Sequence, residues 1–380
     1  MYCHLLCALV QREEVMGMFA PFAYVLVQAI TFLETHWKEL CGNIRSGHVS
    51  EWVTDLSCRN SVSAILGGPN LELADQIERE CSQRSWEGII TRLWPNIKFI
   101  KCIVTGQMSQ YIPILEVYSN KVRLISPSYM SSETIFGINV NPLCRPQDVS
   151  YTFLPNMSYF EFQDEGNDEE IVDLVNVKLG CFYEPLVTNH YGLYRYRMGD
   201  ILQVTGFYNR APQFRFVRRK NIVLSLQVEA TTEEDILKAL NNVTIVLESS
   251  GLMLMGFTCY SDISSAPGHY VLYWELKARN FDTIVKLDNK VMVECCCVME
   301  ESFNALYRIC RRSYDGDSIG ALEIRVVEQG TFDSLMEYFI SQGASASQYK
   351  TPICINSPEA LAILENKLVT RFFSDKAPSL

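Results

Sequence analysis

Apolar positions recur at helical spacing through most of residues 1–95. Arg12 to Leu40 reads as one long amphipathic stretch, with shorter ones at Leu71 to Cys81 and Trp86 to Trp94. Met18 to Leu33 is apolar, interrupted by Gln28 and Thr31, with Pro21 near its start. This predicts a buried helix with Pro21 in its first turn. The run is shorter than the ~20 residues a membrane span requires. Met1 leads directly into an apolar helical segment with no cap or polar lead-in, the pattern of a chain that starts in the middle of a fold. Met1 to Val10 lacks the basic lead and cleavage site of a signal peptide.

The pattern changes at Lys98 to Val104, where alternation and β-branched residues predict a strand. Tyr111 to Tyr118, Arg123 to Ser126 and Tyr151 to Phe162 read as extended for the same reason. Gln163 to Glu170, with Gly166 and Asn167 in its middle, reads as a solvated acidic loop. Strands are then expected at Glu184 to Thr188, Gly192 to Tyr196, Ile201 to Phe207 and Gln213 to Arg218. This regular spacing predicts a β-rich region.

A second change follows Arg218-Arg219-Lys220-Asn221. Thr231-Thr232-Glu233-Glu234 predicts a capping box. Ile236, Leu240, Val243 and Leu247 then repeat at helical spacing, and Gly251 supplies a stop. His269 to Leu276 and Leu322 to Val327 read as strands, and Phe332 to Ile340 as a helix capped by Thr331. The expectation is a compact α+β unit over 222–380.

The formal net charge of −11 disfavours a phosphate backbone as partner, so no nucleic-acid partner is expected. No membrane partner is expected either. The 14 cysteines show no paired CxxC zinc spacing, and Cys295-Cys296-Cys297 on a helix would point in three directions. Reduced thiols filling the core of a cytoplasmic protein are the simplest reading.

The chain has no P-loop, GxGxxG, HExxH or GxSxG. Two subtler segments remain. Tyr129-Met130-Ser131-Ser132-Glu133-Thr134 places hydroxyls and one carboxylate in a turn after a strand. Such groups suit a phosphate or an adenine edge, and Glu133 suits Mg2+; spacing alone equally fits an ordinary turn with Glu133 as a cap. Tyr194 to Asp200 alternates aromatic and Arg residues as a strand, turns at Gly199 and ends in Asp200. A carboxylate fixed at a strand end can accept hydrogen bonds from ribose hydroxyls, or be a plain turn.

Longer stretches carry a resemblance. MYCHLLC at Met1, SWEGIITRLWPN at Ser85, VTGQMSQYIP at Val104, YMSSETIFGIN at Tyr129 and DVSYTFLPNMSYFEF at Asp148 are the first. GLYRYRMGD at Gly192, PQFRFVRRKN at Pro212, SIGALEIRVVEQGTF at Ser318 and ISQGASASQYKTP at Ile340 complete the set. Together they resemble the plant acyl-acid amido synthetases of the auxin-responsive (Gretchen Hagen) type, in the adenylate-forming superfamily. The resemblance covers the whole chain and looks closest to the branch conjugating benzoates to glutamate.

The resemblance implies an α/β fold: the remainder of a large adenylation domain over 1–221, with mixed sheets and helices, and a small mobile α+β domain over 222–380. It implies a monomeric cytoplasmic ligase that activates a carboxylic acid with Mg2+ and ATP. The acyl-adenylate is then attacked by an amino acid, giving an amide and AMP. Thr105, Tyr129, Met130, Ser131, Ser132, Glu133, Thr134 and Asp200 would meet the nucleotide, with Glu133 also near Mg2+ and Asp200 on the ribose. Ala344, Ser345, Ala346, Ser347 and Gln348 would bind the amino acid, and Lys350 would reach the phosphates.

Two departures qualify this. The family carries a Ser/Thr/Gly-rich phosphate loop ahead of the MYCHLLC segment, and this sequence holds no such loop. The family also has a lysine at the hinge, in the segment aligned with Gln227 to Thr232, where this chain has Ala230. Losing a cation beside a phosphate costs a few kcal/mol, roughly a hundredfold or more in rate. Lys220 is close in sequence but is not expected to replace it. Two readings stand: an amide-forming ligase, or a degenerate non-catalytic family member acting as a binding protein or an incomplete gene product.

Overall fold

The computed structural model describes residues 1–166, 170–220, 222–226, 229–279, 287–313, 319–346 and 348–379, with backbone only at 222 and 223. The architecture is mixed α/β, and the chain divides into two compact units.

The first unit comprises 1–104 and 111–126 among the described residues. Its helices are α1 (Tyr2–Val10), α2 (Ala23–Ser46), α3 (Leu56–Leu66), α4 (Leu71–Cys81), α5 (Ile89–Leu93) and α6 (Ile112–Ser119). Its strands are β1 (Gly17–Phe22), β2 (Phe99–Ile103) and β3 (Arg123–Ile125), in one parallel sheet of order β1-β2-β3.

Two expectations fail here. Residues 17–22 are a strand, so Pro21 does not sit in the first turn of a helix. Pro21 has no N–H to give a ladder, and β1 is an edge strand whose register shifts between Phe19 and Phe22, which accommodates it. The helix begins after it, at Ala23, and stops at Gly47, which holds the left-handed conformation at φ 71°. Residues 111–118 are not extended. Pro113 opens α6, and Ile114, Leu115 and Tyr118 are buried on one face. The β-branched composition was overridden by that helical burial. The expected helix at Leu71 to Cys81 is present, with Asn70 accepting from the Leu73 N–H at 3.0 Å as its cap.

The second unit comprises 105–110 and the described residues from 127 onward. Its first strands are β4 (Ser128–Met130), β5 (Ile135–Ile138), β6 (Tyr151–Phe153), β7 (Tyr159–Asp164), β8 (Ile171–Asp173), β9 (Phe182–Thr188), β10 (Tyr196–Arg197), β11 (Asp200–Tyr208) and β12 (Ala211–Arg219). They form a nine-stranded sheet of order β4-β5-β6-β12-β11-β9-β7-β8, with β10 paired to β9. Aromatic rings fill its core; Phe162 stacks on Phe214 with centroids 4.8 Å apart. The stretch from Tyr151 to Phe162 is two strands rather than one, because a turn at Leu154–Met157 interrupts it. Gln163 and Asp164 belong to β7, so the acidic loop is shorter than expected; Asn167 lies outside the described residues.

A small pair, β13 (Ile222–Leu224) with β14 (Thr231–Thr232), leads into α7 (Glu233–Ser249). Ile236, Leu240, Val243 and Leu247 are all buried on α7. The capping box is shifted by one residue from expectation. Thr232 is the N-cap, and Asp235 is its partner, because Thr231 is buried and bonded to the Tyr270 hydroxyl at 3.1 Å.

β15 (Leu252–Asp262), β16 (His269–Ala278), α8 (Asn289–Ser302), α9 (Ala305–Arg312), β17 (Glu323–Val327), α10 (Thr331–Ser341), α11 (Pro358–Asn366) and β18 (Leu368–Phe373) follow. The sheet order is β15-β16-β17-β18. On β16, Tyr270, Leu272 and Trp274 enter one core with α7 and α8, while Val271 and Tyr273 enter another with α10 and α11. Alternate residues point to opposite faces, so the unbroken burial of residues 270–274 means that helices cover both faces. This is the α+β arrangement expected for the later part of the chain. Thr331 does not cap α10. Gly330 at φ 80° is the N-cap, and the Glu275 carboxylate accepts the Gly330 and Phe332 N–H groups, both at 3.0 Å.

All 14 cysteines are free thiols, and Cys295, Cys296 and Cys297 are buried. No helix among the described residues is long and apolar enough to cross a membrane.

Candidate functional site

A polar cluster in the second unit gathers around Asp200. Gly199, at φ 68°, turns the chain so that Asp200 becomes the first residue of β11. The expected long strand over 192–196 is absent, and β10 has only two residues. Arg195 sits at φ 46°, outside any strand conformation. The arginines of this segment are not idle surface groups. Arg195 forks onto Glu161 at 2.9 and 2.6 Å, and Arg197 reaches Gln163 at 2.9 Å.

Glu184, 3% exposed, holds the turn from below. Its carboxylate accepts the Gly199 N–H at 3.2 Å and pairs with Lys220 at 3.1 Å and Arg197 at 3.3 Å. The Lys220 N–H also donates to the Gly199 carbonyl at 2.7 Å. Lys220 is therefore committed to this turn.

The Asp200 carboxyl accepts the Tyr129 hydroxyl at Oδ2, and Arg219 Nη1 lies 2.9 Å from Oδ1. Arg219 is the cross-strand partner of Asp200 on β12. That contact is an ion pair without hydrogen-bond alignment, so Oδ1 keeps its acceptor capacity among the described residues. Burial raises the Asp200 pKa, opposed by Arg219 and the Tyr129 hydrogen bond. Tyr129 stacks on Phe136 at 4.4 Å, and burial holds its phenol well above the usual range.

Tyr129 belongs to β4, and Ser131 to Thr134 form the hairpin turn into β5. The Ser131 N–H donates to the Thr134 carbonyl at 3.0 Å. The Ser132 hydroxyl donates to the Glu133 carboxylate at 3.2 Å, and the Ser131 hydroxyl accepts the Glu133 N–H at 3.2 Å. Hydrogen bonding of the Ser131 side chain to the carboxylate chiefly lowers the Glu133 pKa, with Ser132 and Arg219 contributing. Glu133 caps no helix. Its carbonyl accepts from Asn189 Nδ2 at 2.9 Å, and Met130 on the same hairpin is exposed.

Two further groups complete the cluster. Glu233, the first residue of α7, is buried; burial pushes its pKa up to about 7, against the pull of Arg219 and Lys350 and with a push from Asp200. Lys350 keeps much of its surface in solvent, yet burial and Arg219 lower its pKa while Asp200 and Glu233 raise it. Lys350 is thus brought to the same group of charges as Asp200. The result is two cations, Arg219 and Lys350, facing three carboxyl groups, Glu133, Asp200 and Glu233.

The other expected site residues are placed as follows. Thr105 lies in a bend, and the next residue, Gly106, is packed so closely that a Cβ would meet the Phe216 ring at 2.9 Å. Ala344, Ser345, Ala346 and Gln348 form an exposed loop after α10 that runs into Tyr349 and Lys350. Ser347 lies outside the described residues, as do Gln227 and Val228 of the hinge segment. The Ala230 carbonyl accepts from Asn304 Nδ2 at 2.9 Å. Sequence reasoning gave no site role to Arg219 or Glu184, and read Glu233 only as part of the capping box. The signal for Arg219 was present in the run Arg218-Arg219-Lys220, where three adjacent cations needed partners.

Three family models match: the GH3 family N-terminal domain over residues 1–124, the central domain over 151–219 and the C-terminal domain over 234–359. The chain is 58% identical over 380 residues to the 4-substituted benzoates-glutamate ligase GH3.12 of Arabidopsis thaliana, covering 98% of this chain and 66% of that protein. It is 52% identical over 402 residues to the indole-3-acetic acid-amido synthetase GH3.17 of Arabidopsis thaliana, covering 100% of this chain and 66% of the relative. The chain thus spans just under two thirds of the length of these curated relatives. The solved structure of the GH3.15 acyl acid amido synthetase superposes with a TM-score of 0.95 at 51% identity, covering 100% of this chain and 68% of that one. At this identity and coverage, the chain belongs to the GH3 family.

Proposed function

We propose that this chain binds ATP at the Asp200 cluster and carries the nucleotide-sugar and mobile-lysine parts of an acyl-acid amido synthetase. The reaction class is conjugation of an amino acid to a benzoate- or hormone-like carboxylic acid through an acyl-adenylate, as the names of its relatives indicate for those proteins. The observation carrying this reading is the free acceptor capacity of the buried Asp200 carboxyl beside Arg219, with Lys350 in reach.

In this reading Asp200 accepts a ribose hydroxyl, and Tyr129 fixes the carboxylate for it. Tyr129, Met130, Ser131, Ser132 and Thr134, with Thr105, border the base and phosphates. Glu133, held ionised by its neighbouring serines, supplies one hard oxygen suited to Mg2+, and phosphate oxygens supply others. Magnesium would offset phosphate charge when bound. Arg219 and Lys350 supply the chain's own positive charge to the same phosphates. Ala344 to Gln348 would receive the amino acid. Residues 222–380 would act as the small mobile domain and 1–221 as the remainder of the large one, in a cytoplasmic monomer.

A specific observation favours a second reading alongside it. Ala230 offers no cation, its carbonyl is taken by Asn304, and Lys220 is taken by Glu184. We therefore propose that adenylation by this chain is impaired, and that nucleotide binding outlasts catalysis. ATP–pyrophosphate exchange with a panel of benzoates should stay near background, and Ala230→Lys should raise it. Robust exchange by the unaltered chain would overturn the impairment. Asp200→Ala should weaken ATP binding by roughly tenfold, the value of one good hydrogen bond to a charged group. Unchanged ATP affinity would overturn the site assignment.

A further inference from the structure

We propose that Cys3 and Cys58 form a reversible disulfide under peroxide, clamping α1 to α3. The two sulfurs stand 3.6 Å apart in the first unit, in hydrogen-bond contact. Their backbones are fixed by independent anchors. Beside Cys3, the Tyr2 hydroxyl bonds to Asn43 and Ser50. Asp55 caps α3 by accepting the Cys58 N–H at 2.7 Å. A disulfide needs sulfurs about 2.05 Å apart, so the pair has to close by roughly 1.5 Å.

Both members are half-buried and open to a small oxidant, as are Cys7, Cys144, Cys181 and Cys354, whereas Cys41, Cys81, Cys102, Cys259, Cys295, Cys296, Cys297 and Cys310 are buried. A second thiol contact joins Cys259 to Cys354, but Cys259 is 0% exposed and its Sγ is engaged by the Ile353 carbonyl at 2.9 Å. Cys7 lies one turn beyond Cys3 on α1 and is the competing partner for Cys58.

The chemistry balances with hydrogen peroxide as oxidant. One thiolate attacks the O–O bond; an S–O bond forms, the O–O bond breaks, and the leaving hydroxide becomes water. The second thiolate attacks that sulfur; the S–S bond forms, the S–O bond breaks, and a second water leaves. Two thiols and one peroxide give one disulfide and two waters. Burial and the neighbouring Cys58 thiol raise the Cys3 pKa, so the rate should climb with pH.

The test uses the full chain, reduced and then exposed to hydrogen peroxide, with remaining thiols trapped by alkylation before peptide mapping without reductant. The expected result is a loss of about 2 Da, a cross-linked peptide pair containing Cys3 and Cys58, and reversal by dithiothreitol. Cys3→Ser and Cys58→Ser should abolish the cross-link, and Cys7→Ser should leave it intact. A Cys7–Cys58 cross-link, or alkylation of both Cys3 and Cys58 after other thiols have oxidised, would overturn the proposal. Mapping of the unaltered chain decides the matter even if a variant fails to fold. The outcome is independent of the nucleotide site.

Discussion

Arg219 and Asp200 face each other across the β11–β12 ladder, with Nη1 2.9 Å from Oδ1, yet their surroundings are opposite. The Asp200 side chain is 4% exposed and that of Arg219 is 51% exposed. The cation can recover water if the pair breaks; the carboxyl cannot. Arg219→Met should therefore act through Asp200, raising its pKa beyond the upward shift that burial already imposes. A carboxyl whose folded pKa is raised contributes stability below its unfolded pKa and loses it as pH rises through the folded value. The variant should lose about 1–2 kcal/mol at pH 7 and clearly less at pH 4, discounted for the solvent around Arg219. Urea unfolding at the two pH values checks this, and an equal loss at both would rule out the mechanism.

Glu233 makes a stronger pH prediction. Burial lifts its pKa from 4.5 to about 7. The folded chain holds this proton more tightly than the unfolded one, so stability drains away between pH 4.5 and 7. Glu233→Gln has the same shape and cannot ionise. Relative to the unaltered chain, it should gain on the order of 2–3 kcal/mol on going from pH 4.5 to 8. Chemical denaturation across that range measures the difference curve. A flat curve would mean that Glu233 titrates normally in the fold.

The same two residues mark the limit of what the sequence made legible. Local signals were read well: the amphipathic stretch from Leu71 to Cys81 is α4, and the repeat from Ile236 to Leu247 lies on α7. The hairpin after Tyr129 and the turn at Gly199 were legible from turn chemistry. Failures came where tertiary burial overrode composition, as at Ile114 to Tyr118, or where an edge strand accepted Pro21. The resemblance pointed to Asp200, Glu133 and Lys350, and the fold brings these three into one electrostatic cluster. Arg219 and Glu233 escaped because their importance depends on long-range register and on the packing of α7 against β12. The run Arg218-Arg219-Lys220 and the segment around Glu233 stand out along the chain, but neither identifies the groups that these two residues meet.

Glu184 is predicted to matter for order more than for overall stability. Its carboxylate collects one backbone N–H and two cations, and those cations are 54% and 37% exposed. Glu184→Ala lets Arg197 and Lys220 return to water, so the cost should be about 1–3 kcal/mol rather than the larger value for stranded buried charges. The turn should suffer more directly. Amide hydrogen exchange at Gly199 and Lys220 should accelerate by roughly tenfold or more, while amides in the β16–β17 ladder change only with global stability. Unchanged exchange at Gly199 would show that the turn stands without the carboxylate.

The most demanding prediction concerns Arg325, whose side chain is 6% exposed. It pairs with Glu323 at 2.6 Å, approaches Asp262 at 3.4 Å, bonds the Tyr273 hydroxyl at 3.0 Å and contacts Glu365. Burial pushes the Glu323 pKa upward, but His269 and Arg325 outweigh it and hold the carboxyl below its usual 4.5. A depressed folded pKa gives stability above the unfolded pKa that is lost as pH falls through the folded value. Arg325→Met reverses this sign. The 1%-exposed Glu323 side chain would keep His269 and the half-exposed Arg371 at 3.7 Å but lose Arg325 at 2.6 Å, so burial would weigh more and the proton would bind more tightly. The expected loss is about 3–5 kcal/mol at pH 7, shrinking towards pH 4 as Glu323 protonates in both states. Adding Glu323→Gln should recover part of the loss at pH 7, because it removes the stranded charge. A double-mutant cycle from urea midpoints at pH 4 and 7 reads both effects. No recovery in the double variant, together with a loss independent of pH, would mean that Arg325 contributes by packing on Tyr260 and Tyr273 rather than by neutralising Glu323.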